Sequence, residues 1–167
     1  MPAGGFETLK ALIVEDNAHM RSLLRALLNS IGIKEIAEAA HGQAAIDALR
    51  ERKCDLVLSD MAMKPMDGLE FTRHVRTHEH SPNPFVPIIM ITGHTEKHRV
   101  EAARDAGVTE FLAKPITAHN LYSRIAEIVE RFVGAARGHG ARIEFPGPAT
   151  LRFHQRVARD ELDEERV

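Results

Sequence analysis

The chain has 167 residues, 44% of them hydrophobic and 28% charged, with 22 Lys and Arg against 24 Asp and Glu. That length suits one domain whose core can stand without staples, plus at most an appendage, and a net charge of −2 argues against nucleic-acid binding driven by global charge. The single cysteine, Cys54, excludes a disulfide framework, no apolar run nears the roughly 20 residues of a membrane span, and Met1 to Phe6 carry no signal-peptide pattern, so a soluble cytoplasmic domain is expected.

Taken in chain order, two kinds of segment alternate. Leu9–Val14 is short, apolar and partly β-branched, and reads as a first strand. After Asn17, a good N-cap, Met20, Leu23, Leu24, Leu27, Leu28 and Ile31 recur at helical spacing. A weaker strand follows at Lys34–Ala39, then a helix around Ala44, Ala45, Ala48 and Leu49 after His41-Gly42. Asp55–Ser59 is the third strand, and the Asp67-Gly68 turn opens a helix carrying Leu69 and Val75. Val86–Ile91 is the fourth strand; Val100, Ala103 and Ala106 mark a helix stopped by Gly107. Thr109–Ala113 is a weaker fifth strand, and Leu121, Ile125, Ile128, Val129 and Phe132 mark a fifth helix capped by Thr117. Near-continuous apolar runs suit strands buried on both faces. Five strands alternating with five helices therefore imply an α/β fold with a doubly wound parallel sheet.

From about Gly134 the pattern breaks. Gly134, Gly138, Gly140, Pro146, Gly147 and Pro148 punctuate a segment poor in apolar residues, which ends in the charged run Asp160 to Val167. Residues 134–167 therefore read as a tail, flexible in its first part or docking on a partner. It is too short for a winged-helix DNA-binding unit.

In such sheets ligands bind at the carboxyl ends of the strands. The first strand ends at Glu15-Asp16 and the third at Asp60, so three carboxylates should meet in one cleft. Such a cluster is tolerated where a cation resolves its repulsion, and hard oxygen ligands suit Mg²⁺. The fourth strand ends at Thr92-Gly93 and the fifth at Lys114-Pro115, adding a hydroxyl and an ammonium able to contact a phosphoryl group. Singly, each of these also fits a polar loop start, a helix cap or a surface lysine. Their succession at consecutive strand ends favours one site.

These pieces, Leu12-Ile13-Val14-Glu15-Asp16-Asn17, Asp55-Leu56-Val57-Leu58-Ser59-Asp60, Met66-Asp67-Gly68, Ile88-Ile89-Met90-Ile91-Thr92-Gly93 and Phe111-Leu112-Ala113-Lys114-Pro115, resemble the receiver domain of two-component response regulators. The resemblance covers residues 7–133 and implies a flavodoxin-like sheet in the order 2-1-3-4-5. It implies a stand-alone switch without an output domain. Asp60 would be the phosphoacceptor, phosphorylated by a histidine kinase or phosphotransfer protein. Asp16, Asp60 and the backbone carbonyl of Ala62 would hold Mg²⁺, with Glu15 acting directly or through water. Lys114 would pair with the phosphoryl oxygens across a cis peptide to Pro115. Thr92 and Phe111 would switch together and reshape the face of the fourth helix, fifth strand and fifth helix, for an output protein, a phosphorelay or a phosphorylation-dependent dimer. Ala62 and His94 would tune the lifetime of the phosphoryl group through water access.

Some residues depart from the family's common pattern. Proline follows the acceptor one place late, with Lys64 in its usual slot, and Phe111 lacks the hydroxyl of the common tyrosine. The loop from Thr77 to Phe85 looks long and is expected at the sheet end away from the cleft. Two other readings compete. A constitutive adaptor would bind a protein or an anionic second messenger through Arg137, Arg142, Arg152, Arg156 and Arg159. A phosphohydrolase of the haloacid dehalogenase type would need an Asp-x-Asp pattern after the first strand, where this chain has Glu15-Asp16-Asn17. His74/His78 and His94/His98 have i, i+4 spacing, but neither pair has a third metal ligand in sequence.

Overall fold

The computed structural model describes residues 6–93 and 99–136, with side chains through Arg131. Strand and helix alternate as β1 (Lys10–Val14), α1 (Ala18–Ser30), β2 (Glu35–Ala39), α2 (Gly42–Glu51), β3 (Leu56–Asp60), α3 (Gly68–Thr77), β4 (Ile88–Thr92), α4 (Val100–Ala106), β5 (Glu110–Ala113) and α5 (Ala118–Ala136). The five strands pair in parallel in the order β2-β1-β3-β4-β5, a doubly wound flavodoxin-like sheet.

Side chains alternate between two apolar layers, because successive residues of a strand point to opposite faces. Leu12, Val14, Val57, Ile88 and Met90 pack beneath Ile46 and Leu49 of α2 and Phe71 and Val75 of α3. Ile13, Leu58, Ile89 and Ile91 face Leu24 and Leu28 of α1 and Leu121 and Ile125 of α5. Both faces are covered, so β3 and β4 are buried along their whole length. Each fully buried Leu or Ile contributes about 1.5–3 kcal/mol, which ties register to burial in every inner strand.

The helix ends follow the sequence closely. Asn17, Asp67 and Thr117 each accept the backbone N–H three residues on, from Met20 at 2.9 Å, Glu70 at 2.9 Å and Asn120 at 3.1 Å. Gly107 ends α4 with φ of 102°, the left-handed region that a side chain disfavours. One boundary moves. The backbone helix of α5 runs through Gly134 to Ala136, past the 133/134 break expected from the glycine, because one helical Gly costs only about 1 kcal/mol. The tail beyond Ala136, which holds Arg137, Arg142, Arg152, Arg156 and Arg159 of the adaptor reading, lies outside the described residues.

Register places the chemistry. Val14 pairs with Ser59, Asp60 with Ile91 and Thr92 with Ala113, so Glu15, Asp60, Thr92 and Lys114 emerge together at the carboxyl ends of the strands. The chain leaves β1 and β3 toward opposite faces, which opens a crevice between their carboxyl ends. The loop after α3 lies at the other end: Asn83 donates to the Cys54 carbonyl at 3.2 Å and Arg76 to that of Pro84 at 3.0 Å.

Candidate functional site

Glu15 follows β1 directly and is only 2% exposed. Its backbone N–H continues the ladder to the Ala39 carbonyl at 3.0 Å, which fixes its side chain under the next turn. Oε1 accepts the Asn17 N–H at 3.0 Å, while Oε2 is buried with no hydrogen-bond partner. Asp16 is exposed at the rim, and Asp60 is 4% exposed at the end of β3. Carboxylate oxygens of Glu15, Asp16 and Asp60 lie within 4.8 Å of one another.

Burial, and then the charge of Asp60, push the Glu15 carboxyl up to about 8, against the lowering effect of the Asn17 N–H. Lys114 offsets part of the crowding, its Nζ standing 3.2 Å from Asp60 Oδ1. The same Oδ1 accepts the Met61 N–H at 3.0 Å, a donor shared with the Ile91 carbonyl at 3.1 Å. That N–H is engaged by the carboxylate itself.

The buried, unpartnered Glu15 Oε2 beside two further carboxylates is what a hard divalent cation relieves, so the donor set fits Mg²⁺. Among the described residues no other group of three His, Cys, Asp or Glu side chains converges in this way. His74 and His78 merely stack, their ring centroids 4.3 Å apart, and His94 and His98 lie outside the described residues. Cys54 is buried, its thiol donating to the Leu56 carbonyl and pushed up to about 12 by burial.

The remaining expected residues take these positions. Thr92 is 7% exposed at the end of β4, and its carbonyl accepts the Lys114 N–H at 2.9 Å. Thr92 and Phe111 both line a cavity of about 280 Å³, together with Asn120, Ser123 and Arg124 of α5. Phe111 is 5% exposed and packs in the layer of α3 and α4. Ala62 is exposed two residues past Asp60. The Lys114–Pro115 peptide is cis, and so is Lys64–Pro65 in the loop after β3.

Two residues that shape the site, Arg21 and Arg99, have no place in the sequence-based expectations, and Gly68 figures there only as a turn and motif residue. Arg21 of α1 donates to the carbonyls of Glu15 at 2.8 Å and Asp16 at 3.3 Å, clamping the acidic loop. Its signal is its place one helical turn beyond the Asn17 cap. Arg99 bonds Asp67 at 2.8 Å, tying the start of α3 to the start of α4; nothing local in sequence points to a pair 32 residues apart. Gly68 has no room for a side chain. A Cβ there would run into the Asp60 carbonyl and come within 2.9 Å of Met61 Cα.

The model of the response regulator receiver domain matches residues 11–126. The chain belongs to the response regulator receiver family. This receiver domain is 33% identical over 126 residues to the chemotaxis protein CheY of Pseudomonas aeruginosa, a match spanning 75% of this chain and 100% of that protein. It is 31% identical to CheY-3 of Vibrio cholerae, over 75% of this chain and 95% of that one. Its fold is similar to crystalline V. cholerae CheY4, with a TM-score of 0.65 and 29% identity over 72% of this chain and 98% of that one. It is also similar to the receiver domain of the sensor histidine kinase PA1611 from P. aeruginosa, with a TM-score of 0.61 and 28% identity over 75% of this chain and 98% of that chain. That structure holds a magnesium ion in its active-site cleft. Receiver domains are signalling domains rather than classical enzymes, and they act as phosphorylation switches with an acidic Mg²⁺-binding pocket. CheY-like receivers work between histidine kinases and downstream effectors. No helix among the described residues of this receiver is long and apolar enough to cross a membrane.

Proposed function

We propose that Asp60 is the phosphoacceptor of this receiver, taking a phosphoryl group from a phosphohistidine of a kinase or phosphotransfer protein. The observation that carries the reading is one carboxylate, buried at a strand end, held at Oδ1 by both Lys114 and the Met61 N–H. Those two donors fix the carboxylate plane and leave Oδ2 to attack phosphorus. The P–N bond to the donor imidazole breaks as the O–P bond forms, and the imidazole leaves with the electron pair of that bond. Phosphoryl transfer asks mainly for positioning and charge neutralisation. Lys114 provides a cation at the transferring oxygens, and Arg21 holds the acidic loop against movement.

Glu15, Asp16, Asp60 and the carbonyl of Ala62 are the residues that would hold Mg²⁺, as the PA1611 receiver holds a magnesium ion in its own cleft. Bound there, Mg²⁺ supplies positive charge to the phosphoryl oxygens. Thr92 is the hydroxyl placed to follow the new phosphoryl group. Since Thr92 and Phe111 line the cavity against α5, movement of Thr92 alters that wall, and the change reaches the surface of α4, β5 and α5. Output is then a population shift between two states of this face. Ala62, too small to orient a water, and His94 would set the phosphoryl lifetime.

Beryllofluoride with Mg²⁺, a phosphoryl mimic, tests the proposal on the full chain by amide NMR. Shifts at Thr92, Phe111 and α4 that vanish in Asp60→Asn are expected. Equal shifts in that variant, or none in folded protein that binds Mg²⁺, would overturn it.

A further inference from the structure

At the sheet end opposite the acidic crevice lies a second cleft, of about 460 Å³, between the starts of β1 and β2 and the end of α2. Lys10, Lys34, Arg52 and Lys53 line it, against the single acid Glu35, and Lys10 is held 3.5 Å from that acid. Lys34, Arg52 and Lys53 are exposed, and no ion pair is formed by any of the three among the described residues. The floor is apolar, with Leu12, Ile36, Ala37 and Ala48. Three uncompensated cations around an apolar floor fit an acidic peptide that also carries an aliphatic side chain.

This chain contains such a peptide. Asp160-Glu161-Leu162-Asp163-Glu164-Glu165 has five acids around one leucine. Its connection begins at the correct end of the sheet. Arg131 near the end of α5 bonds Glu110, the first residue of β5, at 2.9 Å. Glu110 pairs with Ile89, Val57 with Ile88 and Lys10 with Glu35 across the parallel ladder. The end of α5 and the basic cleft therefore lie at the same, amino-terminal end of the strands. From β5 to β2 is four strand spacings, about 19 Å. Residues 137–159 can span up to about 75 Å when extended, so the run reaches the cleft within one molecule.

We infer that the basic cleft of Lys10, Lys34, Arg52 and Lys53 is the docking site for the acidic segment Asp160–Glu165 of the same chain. The inference requires no phosphoryl chemistry, so it stands or falls apart from the role of Asp60. It is tested by zero-length carbodiimide cross-linking of the full chain at low salt, with peptide mapping of the monomer. Cross-links from Lys34 and Lys53 to residues 160–165 are expected, and the neighbouring Lys10–Glu35 pair serves as internal control. In 0.5 M NaCl, where the screening length falls to about 4 Å, the tail cross-links should drop several-fold. Tail acids joined equally to Lys64 or Lys114, joined only between molecules, or not joined while the control forms, would each overturn the inference. A full-length variant with Asp160→Asn, Glu161→Gln, Asp163→Asn, Glu164→Gln and Glu165→Gln gives a second readout. Its amide shifts at Ala37, Ala48 and Cys54 should differ from those of the parent; coincident spectra would equally refute docking.

Discussion

Replacing Glu15 by Gln should stabilise the cation-free protein, an unusual result for a buried residue. In the fold this carboxyl is 2% exposed, has one oxygen without a partner, and is pushed from the ordinary 4.5 up to about 8 by burial and by Asp60. Unfolded, it ionises freely at neutral pH. Between these two values the folded state therefore binds more protons than the unfolded state, and stability falls as pH rises. At pH 7 the span is about 2.5 pH units, which at 1.36 kcal/mol per unit sets an upper limit near 3 kcal/mol. Gln keeps an oxygen for the Asn17 N–H and brings two donors to a crowded carboxylate site. A gain of about 1–3 kcal/mol, or roughly 3–9 °C in Tm, is expected in EDTA at pH 7. The gain should shrink toward zero near pH 5 and level off above pH 8. Mg²⁺ should raise Tm more in the parent than in the variant, because the variant has lost one anionic donor. Thermal melts of both proteins from pH 5 to 8, with EDTA and with Mg²⁺, check this. A variant no more stable than the parent at pH 7, or a difference that does not change with pH, would refute the reasoning.

Other perturbations separate charge, shape and chemistry. Asp60→Asn keeps the acceptor for the Met61 N–H and should stay folded, yet lose all labelling by a small phosphodonor, read by mass spectrometry. Lys114→Met retains the aliphatic stem and removes the ammonium 3.2 Å from Asp60 Oδ1. A charge-assisted hydrogen bond contributes about 1.5–3 kcal/mol, so labelling should slow by about ten- to a hundredfold; an unchanged rate would remove Lys114 from the site. Gly68→Ala drives a methyl into the Asp60 carbonyl. Overpacking of this kind costs about 1–3 kcal/mol, so urea denaturation should show that loss together with weaker beryllofluoride binding.

Much of this was legible because the inner strands and the strand ends obey local rules. β1, β3 and β4 are continuous apolar runs because both faces are covered, and each terminates directly at a polar residue that the parallel register brings into one crevice. The edge strands were weaker in sequence for a physical reason. In β2, Glu35 and Glu38 face partners on neighbouring elements, Lys10 on β1 and Arg25 on α1. In β5, the buried Glu110 is matched by Arg131 of α5, 21 residues away. The Arg99–Asp67 pair was hidden for the same reason, since only the tertiary fold joins its partners. Gly68 was visible as a turn residue, but its closeness to the acceptor backbone depends on how the loop after β3 folds back over Asp60.

The charge of the crevice links its stability to its use. With all groups ionised, Glu15, Asp16 and Asp60 outweigh Lys114, and burial, with the charge of Asp60 added, raises Glu15 until it holds a proton near neutral pH. Phosphorylation of Asp60 would exchange one carboxylate charge for a phosphoryl group carrying about two, deepening the imbalance beside Glu15 and Asp16. A cleft whose buried carboxylate already holds a proton beside Asp60 needs a counterion to accept that charge. Protonation relieves Glu15 but weakens it as a cation ligand, so Mg²⁺ binding should tighten as pH rises through about 8. Labelling of Asp60 should follow the same rise. In Glu15→Gln both dependences should flatten, because the proton competing with the cation is gone. A steep rise across pH 7–9 that survives in Glu15→Gln would place the titrating group elsewhere and break this link between the buried carboxylate and phosphoryl acceptance.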